Sequence, residues 1–180
     1  MHILIFLLEI LFFALIAAAL LRVWMNRMRL PMSHQPGRFA VAITDWLVLP
    51  VRRVLPAALA RSRVDWGSLV AAALLAQAYA GLSLLLHSMV GAMPAHVWPV
   101  LLLLAIRMVL RVLLQGLMFL LLAYAVLSWV QPHASARDTL ERLCSPLLGP
   151  LRRRLPVIGG VDLSVLVLLI LLQVGLLMLG

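Results

Sequence analysis

Glu9 is the one acid inside a long apolar run, and in another such run Arg107, Arg111 and Gln115 recur at every fourth residue. On a helix that spacing puts the three side chains on one face. An uncompensated charge in hydrocarbon is unfavourable by about 2.5 to 3.5 kcal/mol on insertion scales, so Glu9 needs a partner or a route to water. Three chemistries meet that need: an ion pair with Arg107 or Arg111, a side chain that snorkels to the membrane surface, or a station on an ion or proton pathway. Gln77 and Gln173 lie at equivalent depths in two further apolar runs. A hydrogen bond between them would set helix register, such pairs averaging about 0.6 kcal/mol, and a substrate site between them is the sharper alternative.

Other chemistries find less support. His87 and His96 are both expected near the outer surface, but they lie nine residues apart with no i, i+4 pair and no CxxCH motif, so haem ligation has no framework. His34 and His133 fall in loops. Cys144 is alone, which excludes an internal disulfide and a multi-cysteine metal site. No Walker loop, HExxH motif or recognisable nucleophile, base and acid set is present. The expectation is a protein that is not an enzyme, with no cofactor and no metal.

The elements that would position these residues are membrane helices. Apolar residues make up 65% of the 180 and charged residues 12%, a balance that a water-soluble core of this size does not accommodate. About 20 apolar helical residues cross a bilayer. Spans are expected at about 3–24, 67–90, 112–130 and 163–179. The run from Trp98 to Val130 is too long for one upright crossing, so residues 98–110 are expected as a surface or tilted segment ahead of the third span. A cleaved secretory leader competes for the first run, with Ala17, Ala18 and Ala19 as a cleavage site, but residues 1–8 hold no Lys or Arg. A retained helix is the better reading.

Net charge is +9, and every basic residue is arginine. Arg27, Arg29, Arg38, Arg52, Arg53, Arg61 and Arg63 fall in the loop 25–66, and Arg137, Arg142, Arg152, Arg153 and Arg154 in the loop 131–162. The connection 91–97 and both termini hold none. Arginine excess marks the cytoplasmic side, so both long loops are expected in the cytoplasm and both termini outside. That placement assigns the charge to a membrane surface, with no direct nucleic-acid partner expected.

The two loops repeat. Pro50, Arg52, Arg53, Leu55 and Pro56 recur one hundred residues later as Pro150, Arg152, Arg153, Leu155 and Pro156. An acid then opens an apolar run in each copy, Asp65 ahead of Ser68 and Asp162 ahead of Ser164, while Trp24 and Trp129 close the preceding runs. The chain reads as an all-α membrane protein of two parallel helix, basic loop, helix repeats, 1–92 and 93–180. Arg52, Arg53, Arg152, Arg153 and Arg154 are expected to reach anionic lipid headgroups or an acidic partner, each charge contributing about 1 kcal/mol near an anionic leaflet. Pro50, Pro56, Pro150 and Pro156 should end the loop helices. Gly159 and Gly160 should permit a tight reversal, and Asp65 and Asp162 should cap the helices that follow. Phe39–Leu49 and Thr139–Leu148 should form short amphipathic helices on the membrane surface. Ser68, Ala72, Ala76 and Ala80 make a small-residue stripe for close helix packing or a partner.

Three stretches, "SWVQP" at 128–132, "SPLLGPLRRRLPVIGGVDLS" at 145–164 and the later Gln173, resemble the signature of the YggT family, also called YlmG. Val165 stands where that family usually has proline, and the first repeat lacks the glycine pair. The resemblance implies a bacterial inner-membrane protein linked with cell division, envelope organisation or osmotic tolerance. Plastid relatives are linked with haem attachment to a b-type cytochrome and with nucleoid distribution. With the charge pattern, it leads to an expected organiser of membrane or division components, with a small transporter or channel component as the alternative.

Overall fold

The computed structural model describes residues 2–33, 35–56, 64–88, 96–131, 135–154, 157–158 and 161–179. Helices α1 (His2–Arg27), α2 (Gly37–Val54), α3 (Trp66–Ser88), α4 (Val97–Val130), α5 (Ser135–Arg152) and α6 (Leu163–Leu179) follow in order. Two short strands, β1 (Val157–Ile158) and β2 (Val161–Asp162), precede α6. Helices α1, α3 and α4 are long and apolar enough to cross a membrane, and α6 is a shorter apolar helix of 17 residues. The chain is a multi-pass membrane protein.

Along the third apolar run α4 continues unbroken over 34 residues, taking in both the segment 98–110 and the crossing expected at 112–130. At 1.5 Å per residue it is about 51 Å long, well beyond a hydrocarbon core of about 30 Å. Pro99 lies near its N-terminus, where a missing N–H costs nothing, and no later residue up to Val130 is a proline. The polypeptide divides into two compact units, 1–112 and 113–180, with the division inside α4. The repeat boundary expected at 92 lies outside the described residues.

In the first unit α1, α2 and α3 pack on one another. The small-residue stripe explains how: Ser68, Ala72, Ala76 and Ala80 are all buried, and Ile16 and Ala19 of α1 lie in the same core as the three alanines. Side chains this small let helix backbones approach closely. Ala105, Met108 and Val112 of α4 complete that core. α1 ends in a Schellman turn, with Leu30 N–H donating to the Met25 carbonyl and Arg29 N–H to that of Asn26. Arg29 takes the left-handed conformation that the turn demands, and Met25 and Leu30, the apolar residues that flank it, are both buried.

The second unit packs α5 against α6. β1 and β2 pair antiparallel, Val157 with Asp162 and Ile158 with Val161, which adds a small hairpin to the expected all-helical chain. Gly159, Gly160, Leu155 and Pro156 lie outside the described residues. Both loop helices are longer than expected. Pro50, Pro146 and Pro150 are accommodated inside α2 and α5 and do not end them. A proline lacks the donor for the carbonyl four residues back. For Pro146 the deficit is covered locally, since Ser145 Oγ donates to the Arg142 carbonyl at 2.9 Å. Arg52, Arg53 and Arg152 therefore ride on helices.

Candidate functional site: two arginine and aspartate elbows

Asp65 immediately precedes α3, and its carbonyl accepts the first intrahelical bond, from Leu69. Its Oδ1 accepts the Ser68 N–H at 3.2 Å and its Oδ2 the Ser68 hydroxyl at 2.8 Å, so the carboxylate caps the helix where the dipole is positive. Arg52 Nη2 donates to the same Oδ2 at 2.6 Å, and Arg22 Nε lies 3.8 Å from it. Arg22 is itself buried at the end of α1, with Nη1 donating to Asp45 Oδ1 and, at 3.3 Å, to Thr44 Oγ1. The Thr44 hydroxyl donates to the Ala40 carbonyl, so its oxygen is oriented to accept. Burial opposes ionisation of Asp65, but the bonds from Ser68 and Arg52 outweigh it and hold the carboxyl below its ordinary range. Gly67 is required here: a Cβ at that position would lie 2.4 Å from Arg52 Cγ, because the arginine stem crosses the glycine on its way to Asp65.

The second elbow uses the same residue types differently. Asp162 Oδ1 accepts the Ser164 N–H at 3.0 Å, and Oδ2 accepts Arg152 Nε at 2.7 Å. Arg152 Nη2 donates to the Tyr124 hydroxyl at 2.8 Å, its guanidinium carbon lies 5.7 Å from the centre of that ring, and Nη1 lies 3.5 Å from Glu141 Oε1. Burial disfavours the charged forms of both Asp162 and Arg152. The bond from Arg152, with that from the Ser164 N–H, nevertheless draws Asp162 below its ordinary range, and the bonds to Asp162 and Tyr124 push Arg152 above its own. Cys144 lies buried in α5, and burial pushes its thiol up to about 11 despite the nearby Arg152.

The CCB3/YggT family model matches residues 1–86 and 103–180, one segment around each elbow. The chain belongs to the CCB3/YggT family. Its curated relatives include "Uncharacterized protein YggT" of Escherichia coli K12, 34% identical over 158 residues, with 86% of this chain and 77% of the relative covered. Another is "Uncharacterized protein in proC 3'region" of Vibrio alginolyticus, 31% identical over 170 residues, with 93% and 88% covered. A Haemophilus influenzae relative is 28% identical over 158 residues, with 85% and 78% covered. No solved structure matches.

Among the residues singled out in this CCB3/YggT chain, the structure brings Arg52 to Asp65 and Arg152 to Asp162, each within one elbow. Both arginines were expected on headgroups or a partner, whereas their guanidinium groups are bonded to the chain itself. Arg53, Arg153 and Arg154 are exposed. Pro56 follows α2. Glu9 pairs with Arg111 at 3.1 Å, and Arg107 lies exposed one turn earlier on α4. Gln77 is half-buried in the first unit, and Gln173 lies on an exposed face in the second. His96 is exposed, while His34 and His133 lie outside the described residues. Arg22, Thr44, Asp45, Gly67, Tyr124 and Glu141 were missed as elbow residues. Acid scarcity was the available signal: of only six acids, five fall in the two arginine-rich loops, and four of those, Asp45, Asp65, Glu141 and Asp162, each meet an arginine.

Proposed function

We propose that this CCB3/YggT chain is a non-catalytic organiser in the bacterial inner membrane, holding two basic elbows on the cytoplasmic side to assemble membrane or cell-division components. Both termini lie on the outer side, and α6 is a fourth crossing. The observation that carries the reading is the doubled lock: in each unit an arginine from the repeated phrase is bonded to the acid that caps the next apolar helix. A lock of that kind fixes the direction in which the neighbouring arginines project. Arg53 in one elbow, and Arg153 and Arg154 in the other, are thus presented from a braced turn to anionic lipid or an acidic partner.

The interior supports an organiser over a conduit. Alanines fill the seam between α1 and α3, and Glu9 is engaged by Arg111, so the one intramembrane acid has a structural partner. A photo-crosslinking residue at 153 or 154, in living cells, tests the proposal. A discrete membrane or division protein should be captured, and its yield should fall when Asp162→Asn loosens the elbow. Capture of lipid alone from both positions would overturn the organising role.

A further inference from the structure

The two loop helices turn opposite kinds of surface outward. On α2, Gly37, Ala40, Thr44 and Val48 are buried against the bundle. Phe39, Ala42, Trp46, Leu49 and Arg53 recur at alternating spacings of three and four, which places them together on the opposite face. There Phe39 is 58%, Trp46 62% and Leu49 47% exposed. On α5 the outward residues include Asp138, Arg142, Ser145 and Pro146, and among the described residues none of its large apolar side chains is exposed.

We propose that α2, and not α5, is the lipid-seated helix: its Phe39, Trp46 and Leu49 face sinks into the acyl boundary of an anionic leaflet, with Arg38 and Arg53 on lipid phosphates. What points to lipid as the occupant is the placement. α2 is joined at both ends to helices long enough to span, which keeps it close to the bilayer surface. Exposed Arg38 and Arg53 stand at the two ends of the apolar stripe, the arrangement that complements a row of phosphates over hydrocarbon. Trp46 Nε1–H donates to the Ile43 carbonyl at 2.9 Å, so the indole enters that boundary with its polar edge already satisfied. α5 keeps a polar face to water and is the helix left available to a soluble partner. The inference deepens the proposed organising role but does not depend on which side of the membrane the loops occupy.

The test uses the full chain with Cys144→Ala, reconstituted in vesicles of phosphatidylethanolamine and phosphatidylglycerol. Trp46→Cys, Phe39→Cys and Arg142→Cys each receive an environment-sensitive fluorophore. At 46 and 39 the emission should be blue-shifted and quenched severalfold more by lipids spin-labelled near the headgroup than by aqueous iodide, with the reverse at 142. The double variant Arg38→Gln, Arg53→Gln should retain severalfold less phosphatidylglycerol on purification, while Arg142→Gln retains it. Iodide quenching at 46 and 39 equal to that at 142 would overturn the seating. Protection from both quenchers would overturn it in favour of a covering protein surface, such as a second copy, and unchanged phosphatidylglycerol retention would overturn the arginine assignment. Because depth is read from either leaflet, these failures are distinct from a failed capture at 153 or 154.

Discussion

In the first elbow the aspartate is the centre: Asp65 receives Ser68 and Arg52, with Arg22 close by. In the second the arginine is the centre, since Arg152 is shared among Asp162, Glu141 and Tyr124. Counting from the matched tryptophans Trp24 and Trp129, the position equivalent to Arg22 is Leu127, so the second unit has no arginine there. Tyr124, one turn earlier, donates no charge and accepts from Arg152 instead. The acids follow the same division, with the Asp65 side chain 4% exposed and that of Asp162 22%, whereas the matched arginines Arg52 and Arg152 are 44% and 34% exposed. One lock hangs on a buried acid, and the other on a shared base.

The sharpest way to break that comparison is to remove each aspartate. Asp65→Ala leaves Arg22 its bond to Asp45 and returns the half-exposed Arg52 to water, but it removes both a charged bond and the cap of α3, at a cost of about 2.5 to 4 kcal/mol. Asp162→Ala leaves Arg152 its bonds to Glu141 and Tyr124, with an expected cost of about 1.5 kcal/mol for the lost charged bond. Unfolding of the full chain in micelles by titrated SDS measures both. Equal losses would erase the asymmetry.

Gly67→Ala comes next. The two copies differ by one residue between acid and serine, Asp-Trp-Gly-Ser against Asp-Leu-Ser, and Gly67 occupies the longer turn under the Arg52 stem. Crowding a filled site costs about 1 to 3 kcal/mol. In a double-mutant cycle with Arg52→Ala, the glycine substitution should add little, because the stem it meets is gone. Simple additivity in the same SDS assay would show that Gly67 serves some other contact.

How much of this was legible follows from what each residue's signal depends on. The aspartate caps and the small-residue stripe were readable because capping and close packing act over three or four residues of one helix. Glu9 was readable as needing a partner, but choosing Arg111 over Arg107 required the rotation of α4 against α1, which no local pattern encodes. Arg52 and Arg152 looked free for headgroups because their acids lie 13 and 10 residues away, across turns whose geometry the sequence does not specify. Tyr124 was hidden for another reason: in a run of leucines it reads as apolar filling until its hydroxyl is seen to meet a guanidinium. That α4 runs unbroken over 34 residues follows from the absence of proline between residues 100 and 130, whereas length alone left a surface segment and a tilted one both open.

Acid should separate the elbows less than truncation does. Both aspartates have folded pKa values below the ordinary aspartate value of about 3.9, so each binds its proton more readily in the unfolded chain. Their contribution is fully present above that value and is lost as pH falls through the depressed folded values. SDS midpoints should therefore be insensitive to these groups near neutrality and decline below about pH 4. Asp65→Asn and Asp162→Asn should each flatten the acid limb. A variant whose midpoint keeps the parent's acid slope would show that its aspartate is not the group being titrated.

The smallest expected effect tests whether Arg152 is truly the centre of the second elbow. Tyr124→Phe removes one neutral acceptor but keeps the ring beside the guanidinium, so the loss should be that of a single hydrogen bond, about 0.5 to 1.5 kcal/mol. Tyr124→Leu also removes the ring contact and should cost about 0.5 to 1 kcal/mol more. If Arg152 organises the site, both penalties should largely vanish in an Arg152→Leu background, since hydroxyl and ring act through that one side chain. If they persist there undiminished, Tyr124 stabilises the unit by packing alone and the second elbow reduces to the Arg152 and Asp162 pair. The thiol of Cys144 provides a parallel readout: buried and pushed up to about 11, it should resist maleimide at neutral pH in the parent and gain reactivity in proportion to how far each substitution loosens α5.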